Sequence, residues 1–156
     1  MHVRFPRRSV VATLLALSVF AATPAFGAAR RVVEVTTHHT AKDGTFLVTT
    51  KGLALYTYRA DKPNHSNCNG TCLAAWPALV VAKGIVPIGR GVKGIGFFRR
   101  SNGTFQVTWN KKPLYRFISD TKAFVVTGQG VAGFSLARLS PGAKVTTTTA
   151  KSPYGY

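Results

Sequence analysis

Gly44-Thr-Phe-Leu-Val-Thr-Thr-Lys-Gly-Leu-Ala-Leu-Tyr-Thr-Tyr-Arg-Ala-Asp61 is the stretch that decides the fold, because the chain contains it twice. The second copy is Gly103-Thr-Phe-Gln-Val-Thr-Trp-Asn-Lys-Lys-Pro-Leu-Tyr-Arg-Phe-Ile-Ser-Asp120. Laid over each other without a gap, the copies share Gly, Thr, Phe, Val, Thr, Leu, Tyr and Asp at matching places. So many identities at one constant offset indicate an internal duplication.

Each copy predicts a β-hairpin. Asp43-Gly44 and Asn102-Gly103 stand at the start of the copies, and such dipeptides accept the positive φ that tight turns require. Alternation along each return strand puts its aromatic side chains on one face, and these are Tyr56, Tyr58, Tyr115 and Phe117. A lone hairpin is marginally stable in water. The sequence therefore predicts a mainly β fold in which two pseudo-equivalent hairpin repeats pack their aromatic faces on a common core.

The return strands carry a motif that links the chain to a known family. Tyr56-Thr-Tyr-Arg-Ala-Asp61 and Tyr115-Arg-Phe-Ile-Ser-Asp120 both fit Tyr-x-aromatic-x-x-Asp. Cys68-Asn-Gly-Thr-Cys-Leu-Ala-Ala-Trp-Pro77 and Thr127-Gly-Gln-Gly130 follow them. With these segments the chain resembles the bacterial "secreted repeat of unknown function" family, which includes many lipoproteins, over roughly residues 32–139. The resemblance implies an extracytoplasmic domain without an established activity and supplies no catalytic residues.

The second copy departs from the pattern of that family. Where relatives have a polar turn, this chain has Ala123-Phe-Val-Val126, and Phe134 stands where a Trp is typical. We expect the second half to pack more and to bind less.

The N-terminal segment predicts export. Arg4, Arg7 and Arg8 precede the apolar run from Val10 to Ala22, and small residues follow. This order is that of a cleavable signal peptide, which we assign to residues 1–29. The protein is then expected outside the cytoplasm, in the periplasm or at the cell surface.

Four further expectations concern anchoring and domain limits. The apolar run is too short to span a membrane comfortably, so the mature chain has no predicted transmembrane span. Many relatives are lipid-anchored through a cysteine at the cleavage site. No cysteine precedes Cys68 in this chain, so we predict that the protein lacks this anchor. The duplicated domain covers residues 32–139. Residues 140–156 are rich in Thr, with Pro, Gly and Lys, and predict a disordered tail.

The chain is strongly basic. Its formal net charge is +17, and loss of the three signal arginines leaves 18 lysines and arginines against 4 acidic residues, about +14. This charge predicts attraction to anionic cell-envelope polymers, and a solvated surface without a partner is the alternative. No nucleic-acid-binding motif accompanies the charge, so no specific nucleic-acid partner is predicted. The oligomeric state is not indicated.

The two cysteines, Cys68 and Cys72, predict a disulfide in an exported chain. A redox pair and a zinc site with His65 are the alternatives, although no fourth zinc ligand is evident. The segment from Thr71 to Trp76 predicts one short helix, which ends at Pro77.

Asp61 and Asp120 stand at the same place in the two repeats. Our first interpretation is that each closes the turn after its strand by accepting backbone N–H groups. The alternative is that both approach across a pseudo-twofold axis and form a small-molecule or metal-ion site centred on the repeated motif. The chain has few carboxylates and no Gly-x-Ser-x-Gly turn, so we predict neither enzyme activity nor a cofactor or metal.

Overall fold

The structure is a computed structural model that describes residues 1–2, 33–141 and 148–149. Apart from its first two residues, the predicted signal peptide lies outside the described residues. Most of the predicted disordered tail lies outside them as well. Within that tail, the described residues Thr148–Thr149 form a short strand.

The described residues are mainly β with one short α-helix, as predicted. The elements are β1 (Glu34–Thr40), β2 (Gly44–Thr49), β3 (Tyr56–Tyr58), α1 (Thr71–Ala75), β4 (Val80–Val81), β5 (Ile88–Gly89), β6 (Ile95–Arg99), β7 (Phe105–Trp109), β8 (Lys112–Pro113), a 3-10 helix (Val131–Gly133), β9 (Phe134–Leu136) and β10 (Thr148–Thr149). Among these, no helix is long and apolar enough to cross a membrane.

The strands form three small sheets. In the first, β2 pairs with β1, β1 with β5 and β5 with β10, and in the second β3 pairs with β9. In the third, β7 lies between β4 and β6 and also pairs with β8. The hairpins β1–β2 and β6–β7 turn at Gly44 (φ 69°) and Gly103 (φ 83°), as predicted from the turn dipeptides. We call β1 to β5 the first half and β6 to β9 the second half.

Three backbone segments meet in a closed cycle of hydrogen bonds in the first half. The Leu55 N–H donates to the Leu47 carbonyl, Leu47 N–H to Ala137, and Ala137 N–H to Leu55, each at 2.9 Å. Because Ala137 follows β9, the second half supplies the third segment of this cycle.

The second half contains the same cycle with the roles of the halves exchanged. Its bonds run from Leu114 to Val107 (2.9 Å), from Val107 to Leu79 (2.8 Å) and from Leu79 to Leu114 (2.9 Å). Here Leu79 precedes β4 and comes from the first half. Each half therefore supplies one backbone segment to the cycle of the other, at Leu79 and at Ala137. Neither half completes its backbone hydrogen bonds alone.

These cycles correct one detail of the repeat. The duplication is confirmed, but the structural counterpart of Leu47 is Val107, whereas the ungapped overlay aligned Leu47 with Gln106. The shift has a simple cause in the turns, since residues 50–52 close the first return turn and only Asn110-Lys111 closes the second. The buried strand triplets are therefore 46–48 and 106–108.

A reciprocal backbone pair joins the two halves. The N–H of Tyr56 donates to the carbonyl of Tyr115, and the N–H of Tyr115 donates to that of Tyr56, both at 2.9 Å. Reciprocal contacts of this kind are the mark of a twofold relationship. The two halves are thus related by a pseudo-twofold axis that passes between these tyrosines.

Two clusters of buried side chains lie on opposite faces of the repeated strands. The aliphatic core contains Val35, Leu47, Leu55, Leu79, Val81, Val92, Ile95, Val107, Leu114 and Ala137. The aromatic core contains Phe46, Val48, Ala54, Tyr56, Cys68, Trp76, Tyr115, Phe134 and Leu136. Both halves contribute to both cores, which confirms the predicted packing of the aromatic faces on a common core.

The second return turn yields a stability prediction. Asn110 (φ 48°) and Lys111 (φ 66°) both have positive φ, as in a type I′ turn, and Asn-Gly is the preferred pair there. Lys111→Gly should therefore raise the free energy of unfolding by about 0.5–1 kcal/mol, measured by urea denaturation. The neighbouring Lys112→Gly should lower it, because Lys112 is paired in β8. A destabilised Lys111→Gly variant would contradict this turn geometry.

Candidate functional site

Four aromatic rings form a continuous stack across the pseudo-twofold axis. Phe117 stacks on Trp76 at 4.4 Å between ring centroids, Trp76 on Phe134 at 3.8 Å, and Phe134 on Tyr58 at 4.4 Å. The outer rings are the third residues of the two repeated motifs. Phe134 is the counterpart of Trp76, so the replacement of the typical Trp leaves the stack unbroken.

The Gly-Gln-Gly turn makes room for this stack. A Cβ atom on Gly128 would lie 2.7 Å from Trp76, 3.0 Å from Tyr56 and 3.1 Å from Phe117. Real Cβ atoms essentially never approach another heavy atom as closely as 2.7 Å, and the other two distances are tighter than nine in ten real Cβ contacts. The turn can therefore lie against the rings only because residue 128 has no side chain.

Tyr56 of the first copy is bound to the aspartate of the second. Its hydroxyl donates to Oδ2 of Asp120 at 2.5 Å, in a buried position. Oδ1 of Asp120 accepts the backbone N–H of Thr127 at 2.9 Å and its side-chain hydroxyl at 2.6 Å. The N–H of Gly128 donates to the Tyr56 hydroxyl at 3.2 Å. Asp120 thus fixes the loop that carries the Gly-Gln-Gly turn.

Tyr115 of the second copy is bound to the aspartate of the first in the same way. Its hydroxyl donates to Oδ2 of Asp61 at 2.7 Å, and Oδ1 of Asp61 accepts the backbone N–H of Asn67 at 2.7 Å. Ser66 completes the group, with its Oγ 2.6 Å from the Tyr115 hydroxyl. Asp61 thus fixes the loop that leads to Cys68.

The two tyrosines and two aspartates form what we call the crossed Tyr–Asp pairs. The predicted role of the aspartates agrees with the structure in that each accepts a backbone N–H from the loop after its strand. The bonded residues lie farther along the chain than in a local Asx turn. The sequence analysis did not predict that each tyrosine bonds the aspartate of the other copy. The only sequence feature that points to this exchange is the equal spacing of Tyr and Asp in the two motifs. Within the described part of the chain, the two aspartates share no hydrogen-bond partner.

Burial sets the protonation behaviour of these pairs. It raises the pKa of both tyrosine hydroxyls well above the usual range, and their carboxylate acceptors, Asp120 for Tyr56 and Asp61 for Tyr115, raise it further. Burial also raises the pKa of Asp61, although the bonds from Tyr115 and Asn67 oppose that shift. The tyrosines therefore remain neutral donors throughout the physiological pH range.

Cys68 and Cys72 form the predicted disulfide, with Cα atoms 5.3 Å apart. Cys68 is fully buried in the aromatic core, so the bridge joins that core to α1. The buried Arg100 guanidinium holds the same loop by donating to the Cys68 carbonyl (2.6 Å) and to Asn69 (2.9 Å). The bridge occupies both sulfur atoms that a zinc site with His65 would need. In residues 33–141, no group of three His, Cys, Asp or Glu side chains is placed to hold a metal ion.

A cleft of about 340 Å³ lies beside Asp61, between the β3 strand and the β7–β8 turn. Its lining includes Tyr58 and three exposed cations, Arg59, Lys62 and Lys112. We call it the basic cleft. The sequence did not reveal it, because Lys112 lies in the other half of the chain. A hydrogen bond of 2.7 Å from the Asn64 N–H to the Lys111 carbonyl brings the two loops together.

The comparisons with known proteins agree with this duplicated architecture. A family model described as "Secreted repeat of unknown function" matches residues 37–80 and 96–135. Each matched segment contains one copy of the Tyr-x-aromatic-x-x-Asp motif. No curated protein and no solved structure matches the chain.

The crossed pairs predict a specific pattern of energetic coupling. Tyr56→Phe and Asp120→Ala should each lower the free energy of unfolding by about 1–3 kcal/mol, because each breaks a buried hydrogen bond to a charged group. Their double mutant should show a coupling of about 1 kcal/mol or more in a double-mutant cycle measured by urea denaturation.

The matched control cycle combines Tyr56→Phe with Asp61→Ala, residues of the same copy that do not bond to each other. These effects should add to within about 0.5 kcal/mol. Asp61→Asn and Asp120→Asn should cost less than the alanines, since Asn keeps an acceptor oxygen, and they should also add. Coupling within a copy, or a double Asn variant more stable than either single variant, would contradict the crossed pairing.

The raised pKa values of Tyr56 and Tyr115 predict a loss of stability at alkaline pH. The contribution of a neutral hydroxyl is fully present below the unfolded pKa of about 10 and is lost as pH rises through the folded pKa. The free energy of unfolding should therefore fall above about pH 10. In the tyrosinate absorbance of the native protein, Tyr56→Phe and Tyr115→Phe should each remove one late-titrating group. If the titration were unchanged in Tyr56→Phe and Tyr115→Phe, the raised pKa values of these two tyrosines would be refuted.

Proposed function

This chain belongs to the family of secreted repeats of unknown function, and from that premise we propose that it is an exported, non-catalytic domain that associates with anionic polymers of the cell envelope. The observation that carries the proposal is the convergence of unpaired cations from both halves on the basic cleft. The family description supports the extracytoplasmic location.

The few acidic side chains are all engaged within the domain. Glu34 pairs with Arg90 at 2.9 Å and Asp43 with Arg138 at 3.1 Å, while the other two carboxylates accept the tyrosine hydroxyls. Many exposed cations of the described residues consequently have no ion pair, namely Lys42, Lys51, Arg59, Lys62, Lys83, Lys93, Arg99, Lys111, Lys112 and Lys122. A surface with so little negative charge attracts polyanions over several ångströms of solvent.

The same contacts support a non-catalytic role. General acid–base chemistry needs a group whose pKa lies near the working pH and whose proton can reach a substrate. In the repeated motifs, the tyrosine hydroxyls are buried and hydrogen-bonded to the carboxylates, which also hold loop N–H groups. The motif therefore serves to hold the two halves and their loops together.

The basic cleft offers the most concentrated contact for a polyanion. Arg59 and Lys62 come from the first half and Lys112 from the second, and Tyr58 with Pro63 and Pro113 provides an apolar wall. Asp61 also borders the cleft, but both of its oxygens already accept hydrogen bonds. A polymer with repeated phosphate or carboxylate groups could place some of these anions against the cations of the basic cleft. Its other anions could then contact the cations scattered over the rest of the surface.

The alternative is a small-molecule or metal-ion site centred on the repeated Tyr and Asp residues. It has less support, because these groups bond one another across the pseudo-twofold axis. A thermal-shift screen with metal ions and haem addresses it directly, since a ligand that binds the folded state in preference to the unfolded chain raises the unfolding temperature.

The charge proposal is tested by the salt dependence of binding to isolated cell envelopes. Binding should weaken steeply as sodium chloride rises from about 50 to 300 mM, because screening and counterion release oppose contacts between charges. Arg59→Glu/Lys62→Glu/Lys112→Glu should bind much more weakly at low salt and show a shallower salt dependence than the unchanged protein.

The matched control is Lys42→Glu/Lys51→Glu/Lys122→Glu, which changes the net charge equally at exposed positions that do not line the basic cleft. It should retain most of the binding. Equal losses in the two triple variants would attribute binding to net charge alone and refute the role of the cleft. Absence of binding to envelopes at low salt would refute the proposed function itself.

A further inference from the structure

A second and larger cavity lies away from the repeated motifs. Its volume is about 640 Å³, within the range of about 300–1,000 Å³ that is usual for small-molecule sites. One wall is the segment from Val80 to Val86, which includes β4 and the loop after it. The other wall is the β6–β7 hairpin, from Phe97 to Phe105. We call it the apolar cavity.

The walls of this cavity are largely apolar side chains that the two cores leave partly uncovered. Val80 is 45% exposed, and Phe97 and Ile85 are half-buried at the margin of the aliphatic core. Phe97 and Phe105 make an edge-to-face contact with their centroids 6.1 Å apart. A concave surface of this composition favours the burial of an apolar group.

The first half shows that the fold does not require these aromatic rings. Phe97 pairs with Val107 just as Thr37 pairs with Leu47, so Thr37 is the counterpart of Phe97. By the same register, Thr45 is the counterpart of Phe105. The repeated hairpin therefore also forms in the same register with threonine at both places. The second half carries apolar surface beyond what its strand pairing needs.

The charged side chains at this cavity have one sign. Lys83 and Arg99 line it, both are exposed, and neither forms an ion pair with another described residue. No aspartate or glutamate lines it. The site thus combines an apolar interior with two cations, which complements a molecule that has an apolar chain and an anionic end.

We propose that the apolar cavity binds a single-chain anionic amphiphile, in which an acyl chain fills the space between β4 and the β6–β7 hairpin and a carboxylate or phosphate contacts Lys83 and Arg99. This inference does not rest on polymer binding by the basic cleft, because the two sites share no lining residue.

Calorimetric titration of the full chain tests the proposal, with probes kept below their micelle-forming concentrations. Dodecanoate and lauroyl lysophosphatidate carry the same chain on a carboxylate and on a phosphate, so the tighter ligand identifies the headgroup. Butyrate, which lacks the long chain, and dodecyltrimethylammonium, which has a cationic end, should bind far more weakly. Arg59→Glu/Lys62→Glu/Lys112→Glu should bind dodecanoate normally, which separates this site from the basic cleft.

Matched variants locate the site. Lys83→Glu/Arg99→Glu should weaken the affinity by about tenfold or more, the scale of losing charge-assisted contacts to an anion. Lys51→Glu/Lys122→Glu has the same net charge and should leave it nearly unchanged. Val80→Glu, which puts a carboxylate in the lining, should also abolish binding, whereas Val131→Glu at another exposed valine should not.

Circular dichroism and thermal unfolding without ligand establish that each variant is folded. If one cation variant fails to fold, the Val80 and Val131 pair still decides the outcome. The proposal is overturned if neither anionic probe binds, if the cationic probe binds as tightly as dodecanoate, or if the control variants lose as much affinity as the cavity variants.

Discussion

The burial of two tyrosine hydroxyls is the constraint on which the rest of the structure depends. Tyr56 and Tyr115 lie at the pseudo-twofold axis, where their backbones pair and their rings enter the aromatic core. A hydroxyl buried there without an acceptor would be costly. Each finds its acceptor in the aspartate of the other copy, and that aspartate in turn holds a loop N–H. Two equivalent networks therefore hold one loop each, and both join the two halves.

Exchange between the halves extends beyond these side chains. Leu79 of the first half completes the backbone cycle of the second, and Ala137 does the same in return. The central rings of the stack, Trp76 and Phe134, also come from different halves. Neither repeat completes these backbone bonds or covers its aromatic face by itself, so each depends on a segment of the other for its packing.

The small number of acidic residues also determines the charge of the surface. The chain has only four acidic residues, so most lysines and arginines of the described surface have no ion pair. The two halves also differ in their side chains at equivalent positions that the strand pairing does not constrain. Threonines at positions 37 and 45 correspond to Phe97 and Phe105, and these two rings line one wall of the apolar cavity, whose other wall is residues 80–86 of the first half. The expectation that the second half packs more and binds less stays a prediction.

The sequence by itself determined the duplication, the mainly β class, the turns at Gly44 and Gly103, the short helix and the disulfide. These are set by local periodicity, by residues that accept positive φ and by cysteine content, all of which a linear pattern records. Only the tertiary structure decided which copy supplies the partner of each tyrosine, the one-residue shift along β2 and β7, and the two cavities. Partner choice depends on the exchange of segments across an axis, and turn length decides the shift. Each cavity is lined by side chains that are distant in sequence, and no local sequence pattern predicts that such residues lie close together.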